Sequence, residues 1–176
     1  LLDHDSTLLY YGHLGHSVVS ASLFSWKERV DGRSLLEAVI AAVEVGARLA
    51  ASLSFSRVRG QMLSIVHSLT TATALGKLKG MPAESLKNAM SLSLAYAIKP
   101  TSIGFTTSAK ILTAVTGLTQ GIRSYKLAEA GHMGSPKVLE SLYREWSGLV
   151  LKAPLGGYGE RWHIETLSIK PWPACS

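Results

Sequence analysis

The 176-residue chain is 47% hydrophobic and has a mean hydropathy of +0.19, which is ample for one core and excludes a disordered protein. A single cysteine, Cys175, excludes an internal disulfide, and no leader sequence opens the chain, so we expect a cytoplasmic protein. The net charge of +6 is spread along the sequence, which favours a small anionic ligand or solvated surface over nucleic acid. The uncharged, apolar-leaning run at residues 62–76 carries His67 and is shorter than the about 20 residues of a membrane span.

Acidic and imidazole side chains are concentrated in residues 2–19, "LDHDSTLLYYGHLGHSVV". They precede a helix predicted from about Val18 to Val30. The free N–H groups of a helix N-terminus favour negative charge, so a loop there can present an imidazole to an anion. The alternative is that the aspartates are solvated or capping residues and that His13 and His16 are exposed loop histidines.

The next predicted element is an amphipathic helix over residues 31–53. Glu44 and Arg48 fall on its predicted solvent face. The predicted core stripe consists of Leu35, Leu36, Val39, Ile40, Val43 and Ala47.

Four further helices are predicted, over residues 62–79, 82–98, 110–130 and 136–148. Pro82 and Pro136 are placed at first turns, and Gly80 and Gly131 follow helix ends. Small residues are abundant in these helices, which indicates close helix packing. Alternation at Leu167 and Ile169 indicates one short strand or extended segment. The fold class predicted is therefore all-α, a multi-helix bundle with at most one short C-terminal strand.

Two common kinds of site are not supported by the sequence. The glycines of "PLGGYGERW" lack the spacing and the strand-to-helix context of a phosphate-binding loop. No G-x-S-x-G motif is present, which argues against a serine hydrolase.

Four segments resemble the MmgE/PrpD family: "LDHDST", "GHLGHSVVSASL", "GRSLLEAVIAAVEVGARLA" and "GERWHIETLSIKPWPAC". This family includes 2-methylcitrate dehydratases, cis-aconitate decarboxylases and iminodisuccinate epimerases. The resemblance runs through essentially the whole chain, and the closing "KPWPAC" is its most specific part. It implies an enzyme without cofactor or metal, whose large helical domain carries most of the site and whose second, α+β domain closes over it.

The resemblance implies four catalytic residues. Asp3 falls on the first aspartate of the family's L-D-x-D-D-T motif, and His13 falls on the histidine of its H-P-G segment. Lys110 falls on the lysine eleven positions before a Gly-Ile pair, and Lys170 falls on the lysine of the closing run. Fixed cations stabilise the negative charge that develops when a proton is removed beside a carboxylate, which suits the two lysines. Imidazole chemistry suits proton transfer at neutral pH, so His13 is the expected acid or base, with Asp3 orienting it.

The sequence also departs from the family pattern. Gln61 stands where the family usually has a second histidine, followed by Ser64 and by His67 in place of a glycine. We expect these three residues, with the two lysines, to contact the substrate. Leu14 and Thr113 replace a proline and a histidine of the family motifs, so one or two acid/base groups are missing.

The family's proteins are more than twice as long as this chain, so we expect residues 1–176 to be a partial helical domain that lacks N-terminal helices and the lid domain. Three interpretations stay open: a dehydratase-type lyase acting on a small polycarboxylate, an epimerase or isomerase of a related dicarboxylate, or a non-catalytic module, inactive as this fragment. In each case we expect a homodimer or larger assembly, with no nucleic-acid or membrane partner.

Overall fold

The computed structural model of the protein describes residues 6–8, 12–25, 30–55, 63–96, 107–145, 149–151, 157 and 159–171. These ranges form six α-helices: α1 (Gly15–Phe24), α2 (Gly32–Ser52), α3 (Leu63–Leu78), α4 (Ala83–Ala95), α5 (Ile111–Glu129) and α6 (Val138–Glu145). The same ranges contain four short strands: β1 (Ser6–Leu8), β2 (Leu53–Phe55), β3 (Leu149–Leu151) and β4 (Leu167–Ile169). Two 3-10 turns lie at Ser108–Lys110 and His163–Thr166.

The predicted all-α class is confirmed, and each of the six predicted helices is present. Helix α1 begins at Gly15, earlier than the predicted start at Val18. Gly80 and Gly131 follow α3 and α5 with φ angles of +64° and +89°, a conformation that glycine adopts without the steric cost of a side chain. Pro82 immediately precedes α4, where its missing N–H removes no helix bond.

Helix α3 lies at the centre of the bundle and contacts α1, α2, α4 and α5. Every residue in the range 64–76 is buried, which explains why this run carries no charge. Two of its hydroxyl groups bond to main-chain oxygens: Thr73 Oγ1 donates to Leu69 O at 2.8 Å, and Ser68 Oγ donates to Ser93 O in α4 at 2.8 Å. No helix within the described ranges is long and apolar enough to cross a membrane.

The predicted orientation of α2 was wrong over its first half. Leu36 and Ile40 were assigned to the core, but they are 62% and 40% exposed. The buried face instead carries the small residues Ala38, Ala42 and Gly46. A methyl group added at Gly46 would lie 3.2 Å from the side chain of Val66, so the absence of a side chain lets α2 approach α3 closely.

The prediction of a solvent face at Glu44 and Arg48 was also wrong. Both side chains are buried, because the segment 159–170, which we call the strap, covers this side of α2. The i,i+4 spacing correctly predicts the ion pair, but it carries no information on a covering segment far along the chain.

The strands form two antiparallel pairs. β1 pairs with β4, so that Ser6 lies opposite Ile169, and β2 pairs with β3. The C-terminal strand expected at Leu167 and Ile169 is present as β4. Strands β1, β2 and β3 were not expected, because three residues are too few to show the alternation by which strands are recognised.

Candidate functional site

The imidazole of His67 is fixed in the middle of α3 by a serine of α1. Its Nδ1 lies 2.8 Å from Ser17 Oγ. Ser17 Oγ also lies 3.3 Å from Leu14 O and 3.4 Å from Thr70 Oγ1. His67 is 0% exposed and Ser17 is equally deep in the interior, so this hydrogen bond joins α1 to the centre of the bundle.

Two further histidines surround this pair. His16, in the first turn of α1, places its ring centroid 4.6 Å from that of His67 with the planes tilted by 51°, a normal separation for interacting rings. His13 is half-buried in the loop before α1 and is close enough to influence the charge of His67. The first turn of α1 contains no acidic residue, so the imidazoles there are not balanced by a carboxylate of that turn.

Burial is the main cause that lowers the pKa of His67 to about 3, with smaller contributions from the nearby His16 and His13. His67 is therefore neutral at physiological pH. Its Nε2 is buried and has no hydrogen-bond partner among the described residues. A base this weak, out of reach of solvent, does not activate Ser17 as a nucleophile, so the Ser17–His67 pair is not a hydrolase dyad.

Strand β1 brings the two ends of the described chain to the histidines. Ser6 pairs with Ile169, the residue before Lys170. The side chain of the same serine accepts a hydrogen bond from Gly15 N, the first residue of α1, at 3.0 Å. Lys170 is buried at 8% exposure, and both it and the His13 loop adjoin residues tied to β1. The structure thus ties the main chain next to the His13 loop and the main chain next to Lys170 to the same strand.

Lys110 lies at the end of the 3-10 turn that leads into α5, and it is half-buried. Helices α3 and α5 run in the same direction, because a methyl group at Gly117 would meet Ser64 O and one at Gly121 would meet Ser68 O. Lys110 and the start of α3, which carries Ser64, therefore lie at the same end of this helix pair. Ser64 itself is buried.

The sequence profile of the MmgE/PrpD N-terminal domain matches residues 1–151. The chain belongs to the MmgE/PrpD family. No curated protein matches it.

Two of the residues predicted from the MmgE/PrpD motifs, Asp3 and Gln61, lie outside the described residues. Thr113, at the position of a family histidine, is buried on α5. It carries a hydroxyl that does not titrate in the physiological range.

The alternative interpretation of His16 as an exposed loop histidine is wrong, because His16 is half-buried in the first turn of α1, and the sequence motifs give no role to Ser17. His16 and Ser17 both fall in the first turn of the helix that follows the His13 loop, but local sequence does not show that this turn packs against α3. Among the residues that the structure describes in this MmgE/PrpD chain, no group of three or more His, Cys, Asp or Glu side chains is placed to hold a metal ion.

Proposed function

We propose that this chain carries part of the active site of a cofactor-free lyase of the 2-methylcitrate dehydratase type. The reaction is proton abstraction next to a carboxylate of a small polycarboxylate. The observation that carries the proposal is that β1 binds both the first residue of α1, beside the His13 loop, and the residue before Lys170. Family membership supports it independently.

Each proposed residue has a distinct chemical task. Removing a proton beside a carboxylate places negative charge on an enediolate-like intermediate. Lys110 and Lys170 are proposed to stabilise that charge, since a partly buried ammonium acts more strongly than one in bulk water. His13 is proposed to move the proton, with Asp3 orienting its ring.

The three expected substrate contacts, Gln61, Ser64 and His67, stay proposals. Ser64 and His67 are buried, so they reach a ligand only where it penetrates to the surface of α3. A neutral His67 is proposed to support the His16 ring and to donate or accept a hydrogen bond, and its low pKa leaves the proton transfer to His13.

Exchange of substrate hydrogen with solvent deuterium tests the role of His13. The variant His13→Ala should lose exchange into a bound di- or tricarboxylate by about a hundredfold or more, the usual contribution of a positioned acid or base. His132→Ala is the matched control, because His132 is an exposed histidine remote in sequence from the loop, and it should retain exchange. Unchanged exchange in His13→Ala would remove His13 from the mechanism.

The alternative of an epimerase or isomerase uses the same proton abstraction without a leaving group. Product analysis on a panel of di- and tricarboxylates separates the two, since elimination gives an alkene and decarboxylation releases carbon dioxide, whereas epimerisation changes only the stereocentre. An alkene product supports the dehydratase-type reaction.

A non-catalytic module is the third candidate. Two sequence features are in its favour, because Gln61 and Thr113 stand where the family motifs have histidines. The matching profile describes an N-terminal domain, which supports the proposal that residues 1–176 are a partial helical domain of a longer protein. The intact mass of the natural gene product decides this point. A mass well above 18.9 kDa directs substrate screening to the longer protein, whereas 18.9 kDa favours the non-catalytic module.

A further inference from the structure

A buried ion pair on α2 binds the main chain of the strap. Arg48 Nε lies 2.8 Å from Glu44 Oε1, with both side chains at most 5% exposed. Arg48 Nη2 donates to Arg161 O at 2.7 Å and to Gly157 O at 3.2 Å. The second carboxylate oxygen of Glu44 accepts a hydrogen bond from Ile164 N at 3.0 Å.

These contacts are directed at backbone atoms spread along one segment. A carbonyl is held at Arg161, just before the turn that leads into β4, and an amide is held at Ile164, within that turn. Ile164 and Leu167 then pack on a core cluster shared by α1, α2 and α3. The segment ends at Lys170, directly after β4.

The choice of an ion pair here is informative. A buried ion pair adds little net stability compared with apolar side chains of similar size, because both charges lose their hydration. Directed hydrogen bonds, in contrast, fix the position of a segment along its own axis, which apolar packing does not. The guanidinium group suits this task because it binds a carboxylate and carbonyl groups simultaneously through a rigid planar fork.

We propose that Glu44 and Arg48 are positioning residues that clamp the strap and thereby set the position of Lys170. The role of Lys170 in this inference rests on the proposed function, whereas the clamp rests only on the contacts described above. The ion pair acts through the strap, and neither residue is assigned contact with substrate.

Amide hydrogen exchange and lysine labelling of the natural gene product test the clamp without turnover. The double variant Glu44→Gln/Arg48→Met leaves no unpaired buried charge. Amides between Arg161 and Leu167 should exchange about thirtyfold faster in it, because the two hydrogen bonds that Arg48 donates to main-chain oxygens are lost. Acetylation of Lys170 by a water-soluble reagent, followed by peptide mass spectrometry, should accelerate in parallel. Exchange in α3 should be unchanged.

A second variant separates positioning from simple charge balance. Arg48→Lys keeps the buried positive charge beside Glu44 but loses the planar fork. If the clamp acts by position, this variant should loosen the strap nearly as much as the double variant. Full protection of the strap in Arg48→Lys would overturn the proposal.

The matched control is an ion pair of the same spacing on the same helix. Arg33 Nε and Glu37 Oε1 are also 2.8 Å apart, but their side chains are 88% and 54% exposed. Arg33→Met/Glu37→Gln should leave strap exchange and Lys170 labelling unchanged. In Glu44→Gln/Arg48→Met, equal acceleration of amide exchange in the strap and in α3 would also overturn the proposal. It would mean that the ion pair stabilises the whole helical core and does not act on the strap specifically.

Turnover adds a readout that a purely structural pair would not move. With Lys170 displaced, kcat should fall about tenfold while KM changes little, because the lysine acts on charge that develops in the transition state. A wild-type protein without turnover would refute the proposed function while the exchange data still decide the clamp. Turnover with an unaffected strap would refute the clamp alone.

Discussion

The imidazole of His67 shows how a polar side chain is accommodated in a helical core. One ring nitrogen is bonded to Ser17, and the other is buried without a partner among the described residues. An unsatisfied buried polar atom costs about 1–3 kcal/mol, and protonating it there would cost more. The folded protein consequently accommodates the neutral ring more favourably than the protonated one, so the stability of the fold depends on pH.

The pKa of His67 predicts a loss of stability in mild acid. The folded pKa is about 3 and the ordinary value is 6.5, so below about pH 6.5 the unfolded chain binds a proton that the folded chain does not. The free energy of unfolding should therefore fall by about 2 kcal/mol between pH 7 and pH 5 through this residue. The measurement is urea unfolding over this pH range, for the wild type and for His67→Asn, which keeps a polar atom near Ser17. The free energy of unfolding should fall less steeply with decreasing pH in the variant.

The control for this experiment is His132→Gln, at an exposed histidine, which should reproduce the wild-type slope. A wild-type slope in His67→Asn as well would contradict the assignment. NMR titration of His67 provides a direct check, since its ring signals should not shift above about pH 4.

At this scale, sequence motifs predicted His13 and Lys170 as site residues, and the structure ties their surroundings to one strand. The burial of His67 was not predictable in the same way, because one histidine in an apolar run fits either a packed residue or a ligand contact. Whether His67 is buried depends on the helices that surround α3, and these are remote from it in sequence.

Among the helices, the contact between α3 and α5 depends on two positions without side chains. A methyl group at Gly117 would lie 2.5 Å from Ser64 O and 2.6 Å from the Cβ of His67. At Gly121 it would lie 2.6 Å from Ser68 O. Main-chain oxygens of a central helix cannot move without displacing the packed helix, so these glycines set the distance between the two helices.

Gly117→Ala should therefore destabilise the protein by about 1–3 kcal/mol despite alanine's higher helix propensity, because the added methyl group overpacks the contact. Thermal or urea unfolding measures the effect. Gly32→Ala is the matched control, since Gly32 begins α2 and no atom lies within 4 Å of the added methyl group. It should be neutral or slightly stabilising, and an equal loss in both variants would contradict the packing argument.

The existence and order of the helices followed from apolar periodicity and from Pro and Gly at their ends. The rotation of α2 about its axis could not be predicted from that periodicity, because Leu36 and Ile40 are as apolar as true core residues. Its buried face is defined by small residues that fit against α3 and by an ion pair covered by the strap. Both depend on partners that the local pattern does not contain.

The molecule as a whole exposes several large apolar side chains on its first two helices. Val19 and Leu23 lie one turn apart on α1, and Phe24, its last residue, is 74% exposed. Leu36 and Ile40 form a similar pair on α2. Large apolar side chains exposed together on helix surfaces are typical of interfaces, which supports the expected homodimer or larger assembly as a proposal.

We expect sedimentation equilibrium of the natural gene product to give a mass at least twice that of its chain. Phe24→Lys/Leu36→Lys should shift the assembly toward monomer, because burying two ammonium groups in an apolar interface is unfavourable. Met133→Lys serves as the control, since Met133 is exposed after α5 and away from both helices in sequence. A monomeric wild type would contradict the expectation.

The pairing of β1 with β4 has a consequence for biosynthesis. Residues 6 and 169 stand almost at opposite ends of the described chain, so their contact forms only after nearly all of it has left the ribosome. The six helices precede β4 in the chain and can pack earlier, whereas Lys170 takes its position only once β4 has been made. A nascent chain arrested before residue 167 would hold a helical bundle whose β1 edge is open to pairing with another chain.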